Sequence, residues 1–279
     1  MKVLSPWKAL PFLPLRLPAA LLRATALELA VLAGHLVLYP TGIAPERRPA
    51  PGPAARPALP DPSLPRPPHP PVVLLHGFVD NRSVFVLLRR SLARHGRTQV
   101  ESLNHSLLTC DIRAAAELLG RHVEEICDRS GHPEVDIVGH SLGGLIARYY
   151  VQRLGGDRRV RVLVTLGTPH AGTTAAPLAA VHPLVRQMRP GSSVLRELGE
   201  PAPRCRTRFV SFWSDLDQWM VPVETARLDH PDLITRNVRV TGIGHLALPV
   251  HPAVAAGVRQ ALEADGPATA GTSDSASVA

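Results

Sequence analysis

Apolar residues in this chain fall into two alternating kinds of run. Short continuous stretches such as Val72-Val73-Leu74-Leu75 and Val162-Leu163-Val164 are bounded by polar or turn-forming residues, as strands buried on both faces require. They predict strands over 71–76, 99–103, 135–139, 160–166, 208–213 and 237–241. Between them the apolar positions recur at helical spacing, over 82–95, 111–129, 142–154 and, after the last strand, 251–263. Strand and helix in alternation predict an α/β domain, with a mostly parallel sheet of about six strands and helices on both faces. This domain is expected to occupy residues 71–264.

Outside it the pattern changes. Residues 1–39 place Lys2, Lys8, Arg16 and Arg23 before an apolar run from Ala24 to Leu38 that is interrupted by Glu28 and His35. Basic then apolar is the order of an export signal or a membrane anchor. A charge inside the run costs a few kcal/mol on insertion, which leaves a membrane-associated helix, a removed signal and a soluble helix all open. Membrane-associated or secreted is the expected location. Residues 40–70 are rich in proline and are expected to form an extended spacer that holds the domain away from whatever the head binds. Residues 265–279 are small and polar, and are expected to be disordered.

Composition narrows the function classes. The chain has 279 residues and a formal charge of +8. Residues 1–70 hold eight of the 31 basic and three of the 23 acidic residues, so most of the excess sits in the head. The domain has no basic stripe interleaved with aromatics, and no nucleic-acid partner is expected. Three cysteines allow no complete disulfide framework, and no Cys/His spacing suggests a metal. Neither cofactor nor metal is expected.

The sequence Gly139-His140-Ser141-Leu142-Gly143-Gly144 joins a predicted core strand directly to a predicted core helix. A serine on so tight a turn, with small neighbours, has the form of a nucleophile elbow. The helix N-terminus beyond it supplies unpaired N–H groups to a developing oxyanion. A serine nucleophile needs a base, and the base an orienting acid, each following a later strand. His245 follows the last predicted strand in a glycine-loosened loop. His251 starts the final helix, and His230 lies away from any strand end. The loop after 208–213 offers two acids, Asp215 and Asp217, with Glu224 a weaker third. Expected oxyanion donors are the N–H groups of Leu142, which follows the serine, and of Phe78, in the loop after the first core strand. His76, His140 and His170 are read as structural.

Five segments carry a family resemblance: VVLLHGF, VDIVGHSLGGLIARYY, VTLGTPHAGT, SDLDQWMVP and GIGHLAL. In this order they resemble the α/β-hydrolase lipases, specifically the small bacterial lipases and esterases of the LipA/EstA type (lipase class 2), over residues 71–262. The resemblance implies the α/β-hydrolase fold and hydrolysis of carboxylic esters, foremost lipid esters. It makes Ser141 the nucleophile and His245 the base, and favours Asp217 over Asp215 as the acid, with Phe78 and Leu142 as oxyanion donors. Acyl transfer or thioester cleavage on the same triad is the alternative, and a non-catalytic lipid-binding protein a more distant one. The implied partners are a lipid or small ester substrate and, through the head, a membrane surface. Residues 171–198 are longer than in minimal members of the group, and are read as either a lid or an excursion packed on the sheet.

Overall fold

The computed structural model describes residues 19–43, 69–78, 80–104, 111–175, 182–264 and 276–278. Six strands form the body of one sheet: β1 (Val72–Leu75), β2 (Val100–Leu103), β3 (Val135–His140), β4 (Val160–Leu166), β5 (Arg208–Ser214) and β6 (Ile234–Val240). Every pairing is parallel, in the order β2-β1-β3-β4-β5-β6, and a short β7 (Ala276–Val278) extends the β6 edge. β7 lies inside the tail expected to be disordered, and residues 265–275 fall outside the described residues. β6 begins three residues before its predicted start. Its partly exposed Ile234, Thr235, Arg236 and Asn237 lack the continuous apolar character that marks the central strands.

Helices cover both faces, as continuous apolar strands demand. α3 (Ile112–Ser130) and α4 (Leu142–Arg153) lie on one face, joined there by the short α5 (Pro183–Gln187) and α6 (Ser193–Gly199). α2 (Val86–Arg94) and α7 (Pro252–Glu263) lie on the other. Alternate residues of β1 divide between them: Val73 and Leu75 face α3 and α4, while Val72 and Leu74 face α2 and α7. The strand order reverses at β1, with β2 on one side and β3 on the other. In open parallel sheets the ligand crevice forms at the carboxyl ends of the strands beside such a reversal.

Residues 182–198 are packed against the sheet, since Leu184, Val185, Val194 and Leu198 are buried with α3 and α4. Arg148 of α4 anchors this segment: buried, it donates to the carbonyls of His170 (3.1 Å) and Leu198 (2.9 Å) and to Gln152 Oε1 (3.0 Å). This part behaves as the excursion of the two expected readings; residues 176–181 lie outside the described residues.

The head differs most from expectation. α1 (Ala19–Ile43) continues through Pro40, beyond the boundary expected at residue 39. Instead of standing apart from the domain, it lies across the carboxyl rim of the sheet. Its last turn is held there by side chains that take its unpaired carbonyls. Asn81 Nδ2 donates to Tyr39 O (2.9 Å), Arg82 Nη2 to Thr41 O (3.3 Å) and Asn104 Nδ2 to Gly42 O (2.7 Å). Ala24 and His35 are buried against the domain, and Val31 packs on the α2/α7 core. The proline spacer lies outside the described residues.

Candidate active site

Ser141 sits between the last residue of β3 and the first of α4. Its backbone has φ 51° and ψ −120°, and among the described residues it is the one non-glycine with positive φ. A β-carbon in this region costs roughly 1–3 kcal/mol, and the surrounding structure must supply it. Two hydrogen bonds contribute: Ser141 N–H donates to Leu166 O (2.9 Å), and Thr168 Oγ1 donates to Ser141 O (3.0 Å). The turn also requires a bare backbone at Gly143, where an added Cβ would lie 2.4 Å from Leu75 O and 2.6 Å from His76 O. This contact seats the start of α4 directly on the end of β1.

His245 lies in the loop after β6 and is almost wholly buried. Its ring stands beside the Ser141 turn through the preceding residue: the His140 and His245 rings are 4.7 Å apart, and His140 Nε2 lies 3.3 Å from the His245 carbonyl. His245 Nδ1 donates to Asp217 Oδ2 at 2.8 Å. A carboxylate only accepts, so Nδ1 carries the proton and Nε2 is left as the basic nitrogen. The second oxygen of Asp217 accepts from Trp219 N–H (2.9 Å) and Met220 N–H (3.2 Å), which fixes the carboxylate in place. Asp215 points elsewhere, onto Arg239 Nη2 at 2.9 Å.

The electrostatics follow from this packing. Burial opposes a charge on His245, but the adjacent Asp217 carboxylate, its hydrogen bond, and then Glu28 and Asp80 outweigh it, so the imidazole pKa rises above its ordinary value. Asp80 is also largely buried; the His140 contact and the nearby His140, His35 and His76 charges overcome that burial and hold its carboxyl below the usual range. His170 takes no part in this cluster. It is buried at Thr165 Oγ1 (3.0 Å), and burial together with Arg148 pushes its pKa well down.

The loop after β1 completes the rim. Gly77 approaches Ser141 so closely that a Cβ there would be 3.4 Å from the Ser141 Cβ, and Phe78 follows it. The Phe78 ring meets His182 edge-on, with centroids 4.8 Å apart. His76 Nδ1 lies 2.8 Å from Gly77 O and shapes the same loop. Leu142, the first residue of α4, has no carbonyl one turn earlier to accept its N–H. The structure thus brings Ser141, His245, Asp217, Phe78 and Leu142 to one end of one sheet. Sequence reasoning missed Glu28 and Asp80. Their signals were an acid inside an apolar helix and an acid three residues after His76-Gly77. Among the described residues, no three His, Cys, Asp or Glu side chains gather as a metal ion would need.

An all-parallel sheet with this strand-to-helix corner defines an α/β-hydrolase. A sequence model of the palmitoyl protein thioesterase family matches residues 71–226, and the chain belongs to that family. Part of it is also similar to a triacylglycerol lipase from Pseudarthrobacter phenanthrenivorans, 28% identical over 113 residues; the match covers 38% of this chain and 35% of that lipase. Among solved structures, Aspergillus fumigatus lipase B superposes with a TM-score of 0.63 at 19% identity, over 71% of this chain and 54% of that one. Bacillus licheniformis lipase BlEst2 in its mature form gives 0.59 at 16% identity, over 72% and 95%. The hydrolase character expected from the five motifs therefore stands, at the level of lipases, esterases and thioesterases taken together. The family match names thioesterases, not the narrower LipA/EstA type.

Proposed function

We propose that the protein is a serine hydrolase of carboxylic esters, with lipid esters as its substrates, related in mechanism to the LipA/EstA lipases. The observation that carries this reading is the strained Ser141 turn beside the hydrogen-bonded His245–Asp217 pair at the carboxyl rim. His245 Nε2 takes the proton of Ser141 Oγ as Oγ bonds to the ester carbonyl carbon. The carbonyl oxygen, now an oxyanion, is held by the N–H groups of Phe78 and Leu142. Its collapse breaks the bond to the alcohol, which leaves with the proton from His245. Water, deprotonated by the same imidazole, then attacks the acyl-serine, and the acid departs as Oγ regains its proton.

An apolar acyl group fits the exposed Trp219 and Val221, which flank the Asp217 loop; the Trp219 ring is 6.1 Å from that of His245. A membrane surface as the source of substrate fits the outer face of α1. Leu22, Leu29, Leu36 and Val37 are each more than half exposed there, on the rim that borders the site. The family match favours a second reading, cleavage of an acyl thioester on the same three residues. The mechanism is unchanged except that a thiol is the leaving group.

One experiment tests the assignment and separates the two leaving groups. A fluorophosphonate probe is expected to label the parent protein and not Ser141→Ala, with the variant folded by circular dichroism. Hydrolysis of matched oxygen and sulfur esters by the parent ranks the two readings. Labelling or turnover retained in Ser141→Ala would overturn both.

A further inference from the structure

Glu28 is the charge that spoils α1 as a membrane-spanning helix, and the fold gives it a different task. The residue lies on the inner face of α1, in line with Ala24, Val31 and His35 at helical spacing. Its two carboxylate oxygens each accept one backbone N–H. Oε2 takes Leu246 N–H at 2.9 Å, and Oε1 takes Ala247 N–H at 2.9 Å. These are the two residues that follow His245. Gly244, just before His245, has no side chain to hold the carboxylate off, and a Cβ there would lie 2.5 Å from the Glu28 carboxyl carbon. The loop that carries the imidazole is thus clasped on both flanks by one side chain some 218 residues earlier in the chain.

The clasp belongs to a continuous docking of α1 across the rim. Thr25 Oγ1 lies 3.4 Å from Gln218 Nε2, in the loop that carries Asp217. At the other end of α1 the carbonyls of residues 39, 41 and 42 bind side chains of the loops after β1 and β2. A helix of 25 residues, about 37 Å long, therefore touches the loops that carry the oxyanion donor, the acid and the base.

We propose that Glu28 is a positioning residue for the hydrolysis, holding the His245 loop by its two backbone amides, so that α1 forms part of the active site. The inference rests on the triad reading given above. A loop tethered by charge-assisted hydrogen bonds keeps Nε2 in line with the serine, and small misplacements of such a group reduce turnover disproportionately. The carboxylate also acts on the imidazole through space. The charged and titratable groups facing His245 are Asp217 from the loop after β5, Glu28 from α1, Asp80 from the loop after β1 and His140 from β3; His35, also on α1, faces Asp80 and His140. Glu28 and Asp80 add to Asp217 in favouring the imidazolium.

Because His245 works as a base when neutral, its pKa sets the acid limb of kcat/KM. Loss of the Glu28 charge lowers that pKa, and the limb moves to lower pH. The test is carried out on the full chain, with Glu28→Ala and Glu28→Gln, a water-soluble short-chain chromogenic ester and a fluorophosphonate. Glu28→Ala is expected to reduce kcat and the labelling rate about ten-fold with KM little changed. Glu28→Gln is expected to recover part of kcat, because its carbonyl still accepts one N–H. Both variants are expected to carry the shifted acid limb. A purely structural contact would not move that limb in a variant that melts like the parent. A labelled parent whose two variants keep kcat within about two-fold and leave the limb in place would overturn this inference alone. A parent that is not labelled would overturn the triad reading and this inference with it. Should Glu28→Ala fail to fold, Glu28→Gln decides by the same two readouts.

Discussion

At the scale of single residues, two aspartates two positions apart carry different duties. Asp217 is buried, bonded to His245 Nδ1 and pinned by the Trp219 and Met220 amides; Asp215 is partly exposed and paired with Arg239. Asp217→Asn is expected to lower kcat by about 10³–10⁴-fold, because an amide can present N–H to Nδ1 and reverse the tautomer. Asp215→Asn loses only a partly exposed ion pair, worth at most about 1 kcal/mol, and is expected to leave the rate within a few-fold. Comparable losses from both substitutions would remove Asp217 from its assigned role. The loop alone could not separate these acids, since both follow the same strand. The family register favoured Asp217, and what sets the two apart physically is a turn that closes through backbone amides, a feature that composition does not encode. Ser141 drew attention because a core strand runs straight into it, and His245 because it lies in the glycine-rich loop after β6.

Among elements, the junction of β3 and α4 explains why this part of the fold could be read so directly. A continuous apolar strand, a serine corner and an immediate helix are local properties, and β3 and α4 run from Val135 to Arg153 almost as their pattern predicts. The long-range part is the contact of Gly143 with the end of β1. Gly143→Ala must push back the carbonyls of Leu75 and His76, both backbone. Overpacking of this kind costs about 1–3 kcal/mol, and here it also displaces the loop bearing Phe78. A lowered melting temperature together with lost fluorophosphonate labelling is the expected pair of results; an Ala variant that melts and labels like the parent would contradict the packing described. Residues 182–198 were less legible. Their Leu and Val side chains suit a mobile cover or a packed layer equally well; the structure buries Leu184, Val185, Val194 and Leu198, and the buried Arg148 bonds the carbonyls of His170 and Leu198.

For the molecule as a whole, the sheet has a structural end and a functional end. Away from the site, Asp136 is fully buried among the apolar residues of β3, where it binds Arg97 and Arg161; both arginines also donate to the Leu262 carbonyl at the end of α7. The reading of β3 as a continuous apolar run passed over this residue, because its partners lie in other elements. The functional end carries α1. Basic-then-apolar order pointed to a signal or anchor there, and the structure forms a helix over the apolar run; which of its faces meets protein depends on loops more than forty residues away. In the function proposed above, the exposed leucines are the face offered to lipid. Leu29→Asp combined with Leu36→Asp is expected to weaken sedimentation with anionic phospholipid vesicles about ten-fold or more, since it removes apolar area and adds negative charge. Equal sedimentation of parent and variant would leave that face without its assigned partner. The docking of α1 also bears on how the enzyme is prepared for study. Trimming an apolar leader is a customary remedy for poor solubility, and here a cut after residue 43 would leave two amides beside His245 without their acceptor. Sluggish turnover by such a shortened protein would then report on the cut and not on the choice of substrate.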